Sequence, residues 1–170
     1  MTLNRILSTV LVGAMLFGAG CKPKAKVITS LQRKEAATLV SEAEFAVSLR
    51  DFARAEGLLA KAVGLCPDAP EYWLSLGTTR MKLHQRDGAK AAYLRGLAAY
   101  ADAEGRDPKE AEPRLQQVYV LALLGRGDDA RALLAKLAAK FPDNRNIRLF
   151  LEDKRLDRML ADPKFREIAL

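Results

Sequence analysis

The segment PEYWLSLGTTRMKLHQRDGAKAAY, residues 70–93, decides the fold. Gly77 and Ala89 are small residues that let two helices approach each other closely, and Tyr93 is a bulky residue that fills the space beside them. Residues 86–88, Arg-Asp-Gly, interrupt the apolar periodicity between the two stretches. The segment therefore predicts two amphipathic helices joined by a tight turn.

The same pattern recurs on both sides of this segment. A unit that starts at Ala36 is followed by one that starts at Pro70, 34 residues later, and by a third at Ala111 after an insertion, residues 104–110. The second helix of each unit has a small residue, then a bulky one, and in two units a closing proline: Ala55, Ala89 and Ala130; Leu59, Tyr93 and Leu134; Pro67 and Pro142. Units that bury their apolar faces against their neighbours form an extended array.

The pattern resembles the tetratricopeptide repeat (TPR), in which W-x2-L-G is followed by A-x3-F and then by proline. The matching residues of the second unit are Trp73, Leu76, Gly77, Ala89 and Tyr93. The resemblance implies an all-α, TPR-like helical-hairpin solenoid of about three repeats, at residues 36–69, 70–103 and 111–144, within a repeat domain of residues 31–143. We expect Trp73 to be a buried filler between units.

The third unit departs from the family pattern in its first helix. Arg114 stands where the pattern has tryptophan, and Val118 replaces the small residue. We therefore expect this helix to pack more loosely than its counterparts.

Residues 144–170 are predicted to cap the array, because its last apolar face needs a cover with a polar outer side. Ile147 and Phe150 lie at helical spacing within NIRLFLEDKRLDRML, which predicts one helix. Pro163 ends that helix and starts a short one that carries Phe165 and Ile168. We expect this tail to fold back onto the last helices; docking on a partner is the alternative.

The N-terminal segment has the features of a secretory signal peptide, residues 1–20. Arg5 precedes an uncharged apolar run, residues 6–20, which is short for a membrane span. Its end, Gly-Ala-Gly followed by Cys21, resembles a bacterial lipobox, and the resemblance implies that Cys21 is lipidated. Lys22 in place of aspartate then implies the outer membrane, facing the periplasm. Ordinary cleavage and an uncleaved anchor are the alternatives.

The net charge of +7 is concentrated next to this segment. Residues 22–34 have five basic and no acidic side chains, whereas residues 35–170 have 22 basic and 21 acidic ones. The predicted tether, residues 21–30, is either a basic stalk attracted to anionic headgroups or a solvated linker. Because the array itself is nearly neutral, we expect no nucleic-acid partner.

Groups suited to catalysis are scarce, so we expect neither an enzyme nor a metal or cofactor site. His84 is the only histidine, and it falls in the predicted turn of the second unit. Cys66 has no partner in the chain if Cys21 is lipidated. It is then either a small buried filler or a thiol that joins two copies or a partner.

The concave surface is the predicted binding site, since in this family it is lined by the first helix of each unit. The residues placed there are Val40, Glu44, Val47, Leu74, Thr78, Met81, Lys82, Leu115, Tyr119 and Ala122. This mainly apolar set suits an amphipathic helix or an extended segment. Occupation by the C-terminal tail or by a second copy, giving a homo-oligomer, is the alternative.

We therefore expect a membrane-tethered TPR scaffold or adaptor that binds a protein or peptide during envelope assembly. The alternative is a self-associating structural lipoprotein without a dedicated partner.

Overall fold

The computed structural model describes residues 27–170, and every regular element in this range is helical. The helices are α1 (Ser30–Ser48), α2 (Phe52–Leu65), α3 (Pro70–Lys82), α4 (Arg86–Arg106), α5 (Glu112–Leu123), α6 (Gly127–Lys140), α7 (Arg145–Glu152), α8 (Arg155–Ala161) and α9 (Pro163–Arg166). The predicted signal peptide and lipidation site lie outside the described residues. None of the described helices is long and apolar enough to cross a bilayer.

The first six helices form three consecutive hairpins. Within the hairpins α1 packs on α2, α3 on α4 and α5 on α6, while α2 contacts α3 and α4 contacts α5 to stack one hairpin on the next. The prediction of an all-α, TPR-like solenoid of helical hairpins is therefore confirmed.

All three hairpins close with the same turn. Arg50, His84 and Gly125 each adopt a left-handed conformation, with φ of 60°, 60° and 70°. In each turn the following residue donates its backbone N–H to a carbonyl five positions earlier, as Gln85 does to Arg80 at 2.9 Å. Such closure satisfies carbonyls at the end of a helix. His84 is thus an exposed turn residue, as predicted.

Small residues occupy the closest helix contacts. Ala55, Ala89 and Ala130 are fully buried, with exposures of 0%. A Cβ atom added to Gly77 would lie 2.3 Å from the ring of Tyr93, which is itself fully buried. Glycine is therefore required on α3 because the Tyr93 ring from α4 passes directly over it.

Trp73 is less deeply buried than predicted. Its ring packs against the cluster formed by the first two hairpins but remains partly exposed, and its indole N–H donates to the carbonyl of Pro67 at 2.9 Å. Tyr93 provides the fully buried aromatic side chain of the second hairpin. The indole explains the difference, because its N–H needs an acceptor and finds one in the loop before α3.

The expectation of loose packing in the third hairpin is wrong. Arg114 is 5% exposed and forms an ion pair of 2.9 Å with Glu104 near the end of α4. Its guanidinium also donates to the carbonyls of Pro108 and Glu110 and lies over the Phe141 ring. The inserted residues therefore supply the partners that a buried arginine needs.

Residues 144–161 of the cap contain two helices where the sequence predicted one. α7 ends at Glu152, and Lys154 turns the chain with a φ of 47° before α8 begins. This turn allows both Ile147 and Leu156 to reach the core that also contains α5 and α6. A single straight helix would have left part of that face uncovered.

Candidate partner-binding groove

An open apolar cavity lies between α1 and α3 on the predicted binding face. Its volume is about 360 Å³. The predicted site residues that line it are Glu44, Val47, Thr78 and Lys82, and they are joined by Ala43, Phe52, Leu59, Ser75, Thr79 and Ile168. The repeat frame thus brings four of the ten predicted residues to one concave space.

Polar groups lie at the edges of this cavity. Val47 is 39% exposed and contributes apolar surface that a partner can cover. The Thr78 hydroxyl donates to the Ser75 carbonyl of its own helix at 3.0 Å, so the hydroxyl is already satisfied. Glu44 and Lys82 supply one charge of each sign. The cavity can therefore bury an apolar side chain and pair with a charged neighbour of that side chain.

The other predicted residues divide into three groups. Leu115 and Tyr119 line a second depression of about 420 Å³, between α5 and α7. Met81 and Ala122 are buried in the core, so they are not accessible to a partner in this structure. Val40 and Leu74 are partly buried against neighbouring helices, and the Leu74 side chain packs against α4.

The C-terminal tail, residues 162–170, occupies the part of the concave face between these two spaces. Lys82 forms an ion pair with Glu167 at 2.5 Å. The Tyr93 hydroxyl donates to the carbonyl of Ile168 at 2.6 Å. The Tyr119 ring contacts the Phe165 ring edge to face, with centroids 5.9 Å apart. The prediction that the tail folds back is confirmed, and the tail is the segment that fills this part of the groove.

Backbone contacts hold the end of the tail against α5. The N–H of Leu170 donates to the carbonyl of Leu123, the last residue of α5, at 2.9 Å. Gly125 lies directly beneath, and a Cβ atom there would be 2.8 Å from the Leu170 carbonyl oxygen. Glycine at this turn therefore serves both the left-handed conformation and the close approach of the tail.

Ionisation in the groove follows from these contacts. The hydrogen bond from Lys82, together with its charge, lowers the pKa of Glu167 below its ordinary value, and the more distant Lys164 and Arg50 act in the same direction. Burial raises the pKa of Tyr93 and of Tyr119. At neutral pH the tail thus presents a carboxylate to a basic edge, and both tyrosines keep their hydroxyl protons.

Tyr93, which the repeat pattern predicts only as a packing residue, also contacts the tail through its hydroxyl. The family pattern has phenylalanine at this position, so the extra hydroxyl was the available signal that a polar contact is made there. Ile168 is predicted to lie in a short helix together with Phe165, but α9 ends at Arg166 and Ile168 lies in the turn that follows it. Its carbonyl is held by Tyr93, which lies 75 positions earlier in the chain, and no local sequence pattern predicts a contact over that distance.

Cys66 is a buried filler in this structure. It is 1% exposed, and its thiol lies 3.7 Å from the carbonyl of Gln32. Burial raises the pKa of the thiol. Among residues 27–170 no group of three or more histidine, cysteine, aspartate and glutamate side chains is arranged to hold a metal ion.

No family model and no curated protein matches the chain. Among solved structures it is similar to the Arabidopsis OM64 TPR domain, with 15% sequence identity and a TM-score of 0.43. The match covers 75% of this chain and 98% of that one. The description of the fold as a helical-hairpin solenoid rests on the stacked hairpins themselves.

Proposed function

We propose that this protein is a membrane-tethered interaction module, a scaffold or adaptor that binds a protein or peptide segment in its concave groove during envelope assembly. The observation that carries the proposal is the open apolar cavity of about 360 Å³ between α1 and α3, with Lys82 at its edge. A preformed apolar space with a few polar groups at its rim is typical of peptide recognition by helical grooves.

The tether belongs to the same proposal and is supported by the sequence alone. Residues 1–20 act as the signal peptide, Cys21 carries the lipid, and the basic stretch that follows lies beside the membrane. Two or more acyl chains give stable attachment. The protein is thereby anchored in the bacterial cell envelope, at the outer membrane and facing the periplasm.

Mass spectrometry of the membrane-extracted protein tests the tether. We expect an N-terminal peptide that begins at Cys21 and carries the added mass of acyl chains. The Cys21→Ser variant should lose this mass and move to the soluble fraction. An unmodified cysteine in a chain that remains in the membrane would contradict lipidation.

Site-specific crosslinking tests the groove. A photoreactive amino acid at Val47, in the cavity, is compared with one at Ala91, which is exposed on α4 and outside the cavity. We expect Val47 to capture a defined envelope protein that Ala91 does not, and Thr78→Arg, which fills the cavity, to abolish the capture. Identical products at both positions would contradict binding in the groove.

Self-association is the second candidate, and exposed apolar residues on α1 and immediately after it favour it. Leu31 and Phe45 are 72% and 61% exposed, and their helical spacing places them on one side of α1; Leu49, the residue after α1, is 62% exposed. Sedimentation of the chain at micromolar concentration tests the idea. A dimer that Phe45→Glu converts to a monomer supports self-association, whereas a strictly monomeric chain removes it.

A further inference from the structure

The tail residues that enter the groove have a defined chemical pattern. Phe165 is 7% exposed and lies against Tyr119, Glu167 pairs with Lys82, and Ile168 borders the open cavity. The pattern is an aromatic residue, an acidic one two positions later and an aliphatic one immediately after it. Each of the three meets a complementary group of the groove.

The groove also binds the backbone of the tail. The buried Tyr93 hydroxyl donates to the carbonyl of Ile168, and the Leu123 carbonyl accepts the N–H of Leu170. Contacts to the main chain hold any sequence, while the surrounding pockets select side chains. These are the elements of a peptide-recognition site, and here the peptide belongs to the chain itself.

Occupation by the tail is incomplete. Beyond Ile168 the cavity continues along α1 and α3, where Ala43, Val47 and Thr78 leave it open. A partner segment that enters this open part meets the tail at Ile168, and it extends along the rest of the groove only if the tail moves out.

We propose that residues 165–170 are an internal ligand that covers part of the binding groove, and that the partner displaces them with a segment of the same chemistry. That segment carries an aromatic residue, then a carboxylate for Lys82 and an aliphatic side chain at the position of Ile168. The proposal rests on the proposed function and specifies the ligand class of the same groove.

Binding of a synthetic peptide tests the proposal. The probe is a fluorescent, amidated peptide with the sequence of residues 162–170, and fluorescence anisotropy compares the full chain with a variant that ends at Ala161. We expect the shortened variant to bind the peptide at least about tenfold more tightly, because an attached tail competes at a high effective concentration. Equal affinity for the two chains overturns the proposal.

Charge reversal identifies where the peptide binds. In the shortened variant, Lys82→Glu should weaken binding of the peptide, and a peptide with lysine at the position of Glu167 should restore it. Lys90→Glu is the matched control, since Lys90 is exposed on α4 outside the cavity. Equal loss with both variants, or no rescue, contradicts recognition of the carboxylate by Lys82.

A second variant keeps the test decisive if the shortened chain does not fold. Glu167→Lys in the full chain places two cations together and leaves Phe165 in position, so the peptide should bind this variant more tightly than the unmodified chain. Equal binding contradicts the proposal. A full-chain dimer that Glu167→Lys converts to a monomer would assign the groove to the tail of a second copy and overturn a separate partner.

The proposed function and this inference fail in different ways. Equally efficient capture of the same envelope protein at Val47 with and without the tail would leave the proposed function intact and refute displacement, because a partner that displaces the tail is captured more efficiently when the tail is absent. Peptide binding as expected, without any capture at Val47, would retain the recognition chemistry and refute the adaptor role.

Discussion

Replacing Gly77 with alanine is expected to destabilise the protein, whereas the same change at Gly57 should stabilise it. Both glycines lie inside helices, α3 and α2 respectively. A Cβ atom at Gly57 has no neighbour within 4 Å, but one at Gly77 would lie 2.3 Å and 2.5 Å from two ring carbons of Tyr93. The two substitutions therefore differ in one steric contact.

The magnitudes follow from two opposing effects. Alanine is favoured over glycine in a helix by about 1 kcal/mol, which both variants gain. Overpacking a filled core costs about 1 to 3 kcal/mol, and the fully buried Tyr93 ring has little room to move. We expect Gly57→Ala to raise the free energy of unfolding by about 0.5 to 1 kcal/mol, and Gly77→Ala to lower it by up to about 2 kcal/mol.

Urea unfolding, followed by circular dichroism at the helix band, measures both changes. The contact itself is isolated by combining Gly77→Ala with Tyr93→Leu, because without the ring the added methyl group has space and its penalty should disappear. If Gly77→Ala and Gly57→Ala stabilise the protein equally, the Tyr93 ring does not cover Gly77 and the packing of α3 on α4 is incorrect.

Three further outcomes follow from buried or paired groups. Arg114→Ala should lower the free energy of unfolding, measured by urea titration, by about 2 to 3 kcal/mol. This loss is smaller than that expected on breaking a fully buried ion pair, because the Glu104 side chain is 35% exposed. Cys66 should react slowly with a thiol reagent such as iodoacetamide until the protein unfolds, since burial removes access and raises the pKa of the thiol. Glu167→Gln should reduce stability at neutral pH but not in acid. Pairing with Lys82 lowers the pKa of Glu167 in the folded state, so the contribution of the ion pair to stability is present above the ordinary carboxyl pKa. That contribution is lost as pH falls through the lowered pKa. Urea unfolding measured from pH 7 to pH 3 checks this prediction.

The hairpins could be predicted because their determinants are local. Ala55, Ala89 and Ala130 take the same position in the second helix of each unit, where a small residue lets two helices approach closely, and all three are buried. The break in periodicity at residues 86–88 predicts a turn between α3 and α4, but the structure places that turn at residues 83–85, and residues 86–88 form the first turn of α4. In the third hairpin the same local reasoning failed at Arg114, because its partners come from the inserted residues and not from the repeat.

The occupied state of the groove could not be derived from the sequence. The contacts that place the tail connect residues 75 and 85 positions apart, Tyr93 with Ile168 and Lys82 with Glu167. Amphipathic periodicity predicts that a short terminal helix has an apolar side, but it does not select the surface on which that side packs. The turn at Lys154, which brings α8 onto the core, was missed for the same reason.

Tyr93 connects the stability of the array with recognition in the groove. Its ring packs against Gly77 inside the second hairpin, and its hydroxyl donates a hydrogen bond to the carbonyl of Ile168 in the tail. A buried hydroxyl that loses its acceptor costs about 1 to 3 kcal/mol unless water or a ligand replaces that acceptor. Any segment that displaces the tail should therefore place a backbone carbonyl at the same point. The groove therefore favours a peptide with an accessible backbone carbonyl at this point, as at a helix end or in an extended segment. The middle of a continuous helix is disfavoured, because its backbone carbonyls are already hydrogen-bonded within the helix.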